Sequence, residues 1–290
     1  MKQKSAVTIL VFFIAAVSAA AAAVGIFSGH GPGTYEYLSI RGQIVTIYGK
    51  GLYQHMSAEV AIQGIAQDYV TLFIGVPLLL ISLFIAGRGS LRGRFILAGT
   101  LGYFLVTYLF YLAMGMYNPL FLAYAFLMGA SFFALAITMM SFEINRLPEL
   151  FFDSTPVKSA GGFLIFNAFS IALLWLSIVV PPLIEGSIYP KGLEHYTTLI
   201  VQGMDLGLLL PLAAVTGVLL IRKKPFGYLL GPVYFIFLSL LMTALTAKIT
   251  AMGLSGYNII PVIFIIPTFN LLAVVFSILL IINIKPAQTS

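Results

Sequence analysis

Few residues in this chain are able to do chemistry, so their positions carry most of the information. Asp205 stands about seven residues inside an apolar stretch, roughly 10 Å deep at 1.5 Å per residue, and is the only acid read as well inside a span. An ionisable group at such depth faces a partner or a wet cavity, because lipid exposure costs about 2.5–3.5 kcal/mol. Gln202, three residues earlier, shares its helix face. The pair reads as a proton- or cation-binding site, or as a structural acid tied to a neighbour. Lys248 is the cation to consider as that neighbour; snorkelling to the headgroups is the simpler expectation for it. It lies too close to a span end for a retinal-type Schiff base. Asp68 and Gln63 repeat the acid and amide earlier in the chain and join the candidate substrate- or ion-binding set of Asp205, Gln202, Asp68, Gln63 and Lys248.

His55 and His195, with Asp68 and Asp205, make a donor set that suits a divalent metal if the four converge. No spacing among them is diagnostic, since no His-Glu-x-x-His or similar helical pair occurs. His30, among Gly29, Gly31 and Gly33, reads as loop. No phosphate loop, dinucleotide fingerprint, Gly-x-Ser-x-Gly elbow or serine–histidine arrangement is present, so no catalytic residue is assigned and no cofactor is expected. With no cysteine among 290 residues, disulfides and thiolate chemistry are excluded.

These residues are held by a chain that is 60% hydrophobic and 8% charged, with mean hydropathy +1.05. Soluble domains carry about 25% charged residues. The composition therefore makes a polytopic membrane protein, with lipids as its first partners. Its 15 Lys and Arg are scattered at segment ends, which argues against nucleic acid. About 20 apolar residues cross a bilayer as helix, and that ruler gives eight spans near 6–28, 69–87, 95–116, 119–141, 162–183, 198–221, 226–250 and 258–284. With both termini in the cytoplasm, the outer side keeps only Arg41, Lys50, Lys191 and Lys248, and all other basic residues, Lys2 included, lie inside. The small residues from Ser18 to Ala23 resemble a signal-peptidase site, but the apolar run through Phe27 is long enough to be kept as a span.

The outer loop 29–68 contains two β-rich runs, 35–40 and 43–48, about Arg41-Gly42, which read as a small hairpin leaning on the helix ends. The inner loop 142–160 reads as an interfacial segment. Hydroxyl stripes (Ser239, Thr243, Thr246 and Thr250; Tyr103, Thr107 and Tyr111) line a polar path or pack helices together, and packing is the simpler reading.

The halves also resemble one another. Lys50-Gly51-Leu52 with His55 recurs as Lys191-Gly192-Leu193 with His195; Gln63-Gly64 and Asp68 recur as Gln202-Gly203 and Asp205. Pro77 and Arg88 match Pro211 and Arg222, and Tyr103-Phe104 match Tyr234-Phe235. Two parallel four-helix repeats, 1–160 and 161–290, follow, related by an axis along the membrane normal. The runs Arg41-Gly42 to Tyr53, Gln67-Asp68 to Arg94, and Asp205-Leu206-Gly207 to Tyr228 resemble uncharacterised multi-pass membrane proteins of bacteria and archaea. That resemblance implies a prokaryotic plasma membrane and brings no activity with it.

The expectation is thus an all-α polytopic membrane protein with a small extracytoplasmic hairpin. Its best functional reading is a small-solute or ion transporter with a site between the repeats in the outer leaflet. The alternatives are a membrane-embedded metal-dependent hydrolase using His55 and His195, and a non-catalytic sensor or assembly partner.

Overall fold

The computed structural model describes residues 4–286; Lys2, counted above among the inner bases, lies outside them. Among the described residues, eight helices are long and apolar enough to cross a membrane: α1 Lys4–Phe27, α2 Ala58–Gly87, α3 Leu91–Ala113, α4 Phe121–Met139, α5 Val157–Glu185, α6 Ile200–Ile221, α7 Pro225–Leu254 and α8 Val262–Ile282. The number agrees with the sequence reading, but one boundary changes the chemistry. Helix α2 begins at Ala58, eleven residues before the expected start. The stretch 58–68 carries Glu59, Gln63, Gln67 and Asp68, so it fails an apolar ruler. It is helical because neighbouring helices, not lipid, cover its polar face. Asp68, assigned to the end of a loop, is therefore an acid inside a span.

The two helices that carry the acids share a local distortion. Helix α2 widens to a π turn at Thr71–Gly75 and α6 does so at Asp205–Leu209. Each widened turn ends two residues before a proline, Pro77 or Pro211. Proline has no N–H to donate and its ring crowds the carbonyl one turn back; one extra residue in that turn absorbs the conflict without breaking the helix.

At the centre lie α3 and α7, packed on each other and on α2. Both are buried over most of their length, and they supply Tyr103, Tyr108, Phe95, Phe104 and Phe235 to the core. Their axes approach at Gly99, where a Cβ would stand 2.5 Å from that of Ile236. Helices α5 and α6 meet backbone to backbone: a Cβ on Gly161 would lie 2.5 Å from the Gly217 carbonyl oxygen. Such small-residue contacts are how apolar helices associate where lipid removes the hydrophobic drive. Around this centre α1 packs along both α2 and α4, whereas α5 and α8 meet sparingly, through ring contacts such as Phe163 with Phe276 at 5.5 Å.

One end is capped by the expected hairpin, β1 Tyr35–Leu38 and β2 Ile44–Ile47, antiparallel with Tyr35 opposite Ile47. Its turn is longer than two residues, running from Ser39 to Gln43. The hairpin leans chiefly on the loop between α5 and α6: Arg41 donates to the Glu194 carbonyl at 3.2 Å and Gln43 to that of Lys191 at 3.1 Å. At the opposite end the 142–160 segment forms a short 3-10 helix, Ile144–Leu150, then pairs Phe151 with Ile284. It is a clasp for the end of α8, not a domain.

Candidate functional site

Asp68 lies ten residues into α2, 3% exposed. Its Oδ2 accepts from the Tyr53 hydroxyl at 2.5 Å and its Oδ1 from the Tyr111 hydroxyl at 2.9 Å. Tyr111 comes from α3, and Tyr53 from the 3-10 turn Gly51–Tyr53 on the hairpin side. Gly25 of α1 closes the remaining side: a Cβ there would overlap Asp68 Oδ2. Burial first, and then the neighbouring Asp68 carboxylate, hold the Tyr53 phenol well above the usual tyrosine range. It therefore remains a donor at any physiological pH. One residue earlier, Gln67 donates to Tyr103 at 2.7 Å and Thr107 at 3.3 Å, and Tyr103 bonds Thr71 at 2.8 Å. Buried amide and hydroxyls are thus paired, as their desolvation requires.

Asp205 has a different setting. It opens the π turn of α6, is half-buried, and accepts one hydrogen bond, from the indole of Trp175 on α5 at 2.7 Å. The next turn of the widened helix is held by the Tyr234 hydroxyl on the Leu209 carbonyl at 2.9 Å. Each π turn is thus met by a tyrosine of the following span, Tyr103 in one case and Tyr234 in the other.

Lys248, half-buried on α7, is the cation that both acids share. It lies within electrostatic reach of Asp68 and of Asp205. It makes no direct ion pair with either; among the described residues the only N···O contact within 4.0 Å between opposite charges joins Arg146 and Glu143. Lys248 stands half-buried on α7, which packs on α2 and α3.

Of the sequence-derived set, Lys248 lies within electrostatic reach of both Asp68 and Asp205. Gln63 and Gln202 are half-buried and bond neither carboxylate. His55 and His195 also meet, but not as a ligand pair: His195 Nε2 contacts the His55 backbone carbonyl at 3.0 Å, while the His55 side chain is exposed. Among the described residues no group of three His, Asp or Glu side chains is placed to hold a metal ion. The hydroxyl stripes also divide. Ser239, Thr243, Thr246 and Thr250 each donate to the carbonyl four residues back, the local bond that hydroxyls make within helices. Of the other stripe, Tyr111 bonds Asp68, and Tyr103 and Thr107 bond Gln67.

The sequence reading missed Tyr53, Gly25, Gln67 and Trp175. Trp175 had a signal, being the single tryptophan; Gly25 had none. It also paired Asp68 with Asp205. The π turns and their prolines set a constant separation of 134 residues, in which Asp205 falls opposite Thr71, and Asp68 opposite Gln202. The two acids are thus one helical turn apart in this register. No protein-family model, curated protein or solved structure matches the chain.

Proposed function

We propose that this multi-pass membrane protein is an ion carrier whose site exchanges a proton for a small monovalent cation. The observation that carries this reading is Lys248, within electrostatic reach of two intramembrane carboxylates and in direct ion contact with neither. Fixed ion pairs stabilise by closing on themselves, and breaking them leaves a buried charge. An open arrangement of two acids and one base instead leaves a carboxylate free to exchange a proton or cation while the lysine offsets charge. Intramembrane ionisable groups serve in this way in pumps and transporters.

In this reading the chain is two parallel four-helix repeats, 1–160 and 161–290, supported by matching π turns, prolines and tyrosines. The hairpin side is the outer side and both termini are cytoplasmic, as the basic residues favour; the membrane is a prokaryotic plasma membrane, as the family resemblance implies. The charged centre joins α2 of the first repeat to α6 and α7 of the second.

The test is proton release by purified protein in weakly buffered detergent, read with a pH dye as sodium, lithium, potassium or tetramethylammonium chloride is added. At least one salt should release about one proton per chain, saturably, and Asp205→Asn and Asp68→Asn should each reduce it. Silence to all four salts overturns the carrier reading. So does unaltered release in both variants.

A further inference from the structure

The Asp68 carboxylate is enclosed from every direction that the structure describes. Tyr111 covers it from α3 and Gly25 from α1, and Lys248 faces it from α7. The phenols of Tyr103, Tyr108 and Tyr124 also stand near enough to feel its charge. Only one member of the enclosure is not part of a membrane helix. Tyr53 reaches in from the hairpin side, on a three-residue 3-10 turn. That turn is buried, with Leu52 and Tyr53 packed beside Met56 and Ala61, and its backbone is tied by Gly51 N to the His30 carbonyl at 2.6 Å and by Leu52 N to Ser28 Oγ at 2.8 Å. The path below it is cut to fit, since a Cβ on Gly64 would press on the Tyr53 ring at 3.1 Å. In the second half the corresponding turn, Lys191–Leu193, puts Glu194 where the first has Tyr53. Glu194 takes a left-handed backbone at φ +48°, its carbonyl accepts from Arg41, and Asp205 has no such cover.

We infer that Tyr53 is a gate: the Gly51–Tyr53 turn must lift before Asp68 can exchange a proton with the outer solution, whereas Asp205 exchanges without it. The inference rests on the ion-carrier reading for its purpose, but not for its test. In each exchange the carboxyl O–H proton passes to water and another returns, so nothing further is consumed. Tyr53 touches the exchanging group, and its bulk, more than its hydroxyl, is what excludes water.

The chain has no cysteine, so a lock can be added cleanly. Ser28→Cys with Leu52→Cys would tie the turn to the end of α1 when oxidised. The readout is hydrogen–deuterium exchange of the protonated carboxyl C=O stretch in the infrared, assigned to Asp68 by its loss in Asp68→Asn. Oxidation of the lock should slow deuteration of this band at least tenfold, and reduction of the same sample should restore it. Tyr53→Ala should speed exchange at least tenfold and Tyr53→Phe less than threefold; the Asp205 band should be unmoved in all three. Equal rates in the oxidised and reduced lock overturn the gate. If the cysteine pair fails to fold, an unchanged rate in Tyr53→Ala does so. An Asp68-dependent band at no pH between 4 and 9 also overturns it, since a carboxylate that never takes up a proton has nothing to gate. Failed proton release with a working lock would sink the carrier reading alone; release with a lock that changes nothing would sink the gate alone.

Discussion

Asp68 and Asp205 ride on helices that widen at the same place ahead of the same proline, and the tyrosine of the next span braces each widened turn. Their surroundings nevertheless differ. Asp68 has two phenolic donors, a glycine pressed against one oxygen and a loop residue above it. Asp205 has one indole and an open flank, in a half where α5 and α8 barely meet. The difference lies in what α1 and the first loop add: α1 packs along α4 and brings Gly25 over the acid, and the loop brings Tyr53. One scaffold thus yields a closed acid and an open one, with Lys248 within electrostatic reach of both.

The largest effect that would break this contrast is at Gly25. Gly25→Ala places a methyl on Asp68 Oδ2, and overpacking of about 1–3 kcal/mol should appear as a clear fall in the detergent melting temperature. Gly203, on the open side with nothing near its Cβ, should tolerate alanine within about 0.5 kcal/mol. Combining Gly25→Ala with Asp68→Ala should recover part of the loss, since the clashing oxygen is gone. Equal melting temperatures for Gly25→Ala and Gly203→Ala would mean that the first acid is no more enclosed than the second.

Next in size are the acids themselves. Asp68→Ala strands the Tyr53 hydroxyl and half-strands that of Tyr111, at about 1–3 kcal/mol for each buried group left unpaired. Asp205→Ala strands only one half-buried indole and should cost about 1 kcal/mol. Thermal melts of the two variants side by side give the order, and a reversed order removes the contrast.

A smaller, pH-dependent effect sharpens it. The Tyr53 phenol is held above its unfolded value of about 10 by burial and by the Asp68 carboxylate. A raised pKa means that its share of stability is full below pH ~10 and is lost as pH rises through the folded value. Melting temperature should therefore fall above pH ~10, and Tyr53→Phe should flatten part of that fall. The unchanged slope in Tyr53→Phe would show that the ring is already in water.

Much of the architecture was readable in advance, because apolar length reports spans directly. Eight helices followed from it and the hairpin from its β-branched and aromatic runs, whereas the pairing of Phe151 in the inner loop with Ile284 had no signal. The site was less so. The ruler that found α6 hid the first three turns of α2, since residues 58–68 carry Glu59, Gln63, Gln67 and Asp68 and owe their burial to other helices. Tyr111 stood in a noted stripe, but its role needed Asp68 inside a span. Tyr53 and Gly25 act across the fold from positions 15 and 43 residues before Asp68, with no periodicity to announce them. The π turns were absent from the reading although both prolines were marked, because proline alone does not say whether a helix kinks, breaks or widens.

The central claim is that Asp68 and Asp205 form one centre through Lys248, and a double-mutant cycle tests it. Separate acids with no shared partner add within about 0.3–0.5 kcal/mol. Unfolding free energies of Asp68→Asn, Asp205→Asn and the pair, measured in detergent, should depart from additivity by about 1 kcal/mol. That departure should vanish when the cycle is repeated with Lys248→Met. Additivity in the presence of Lys248 would contradict the account, leaving two structural acids in two unconnected halves.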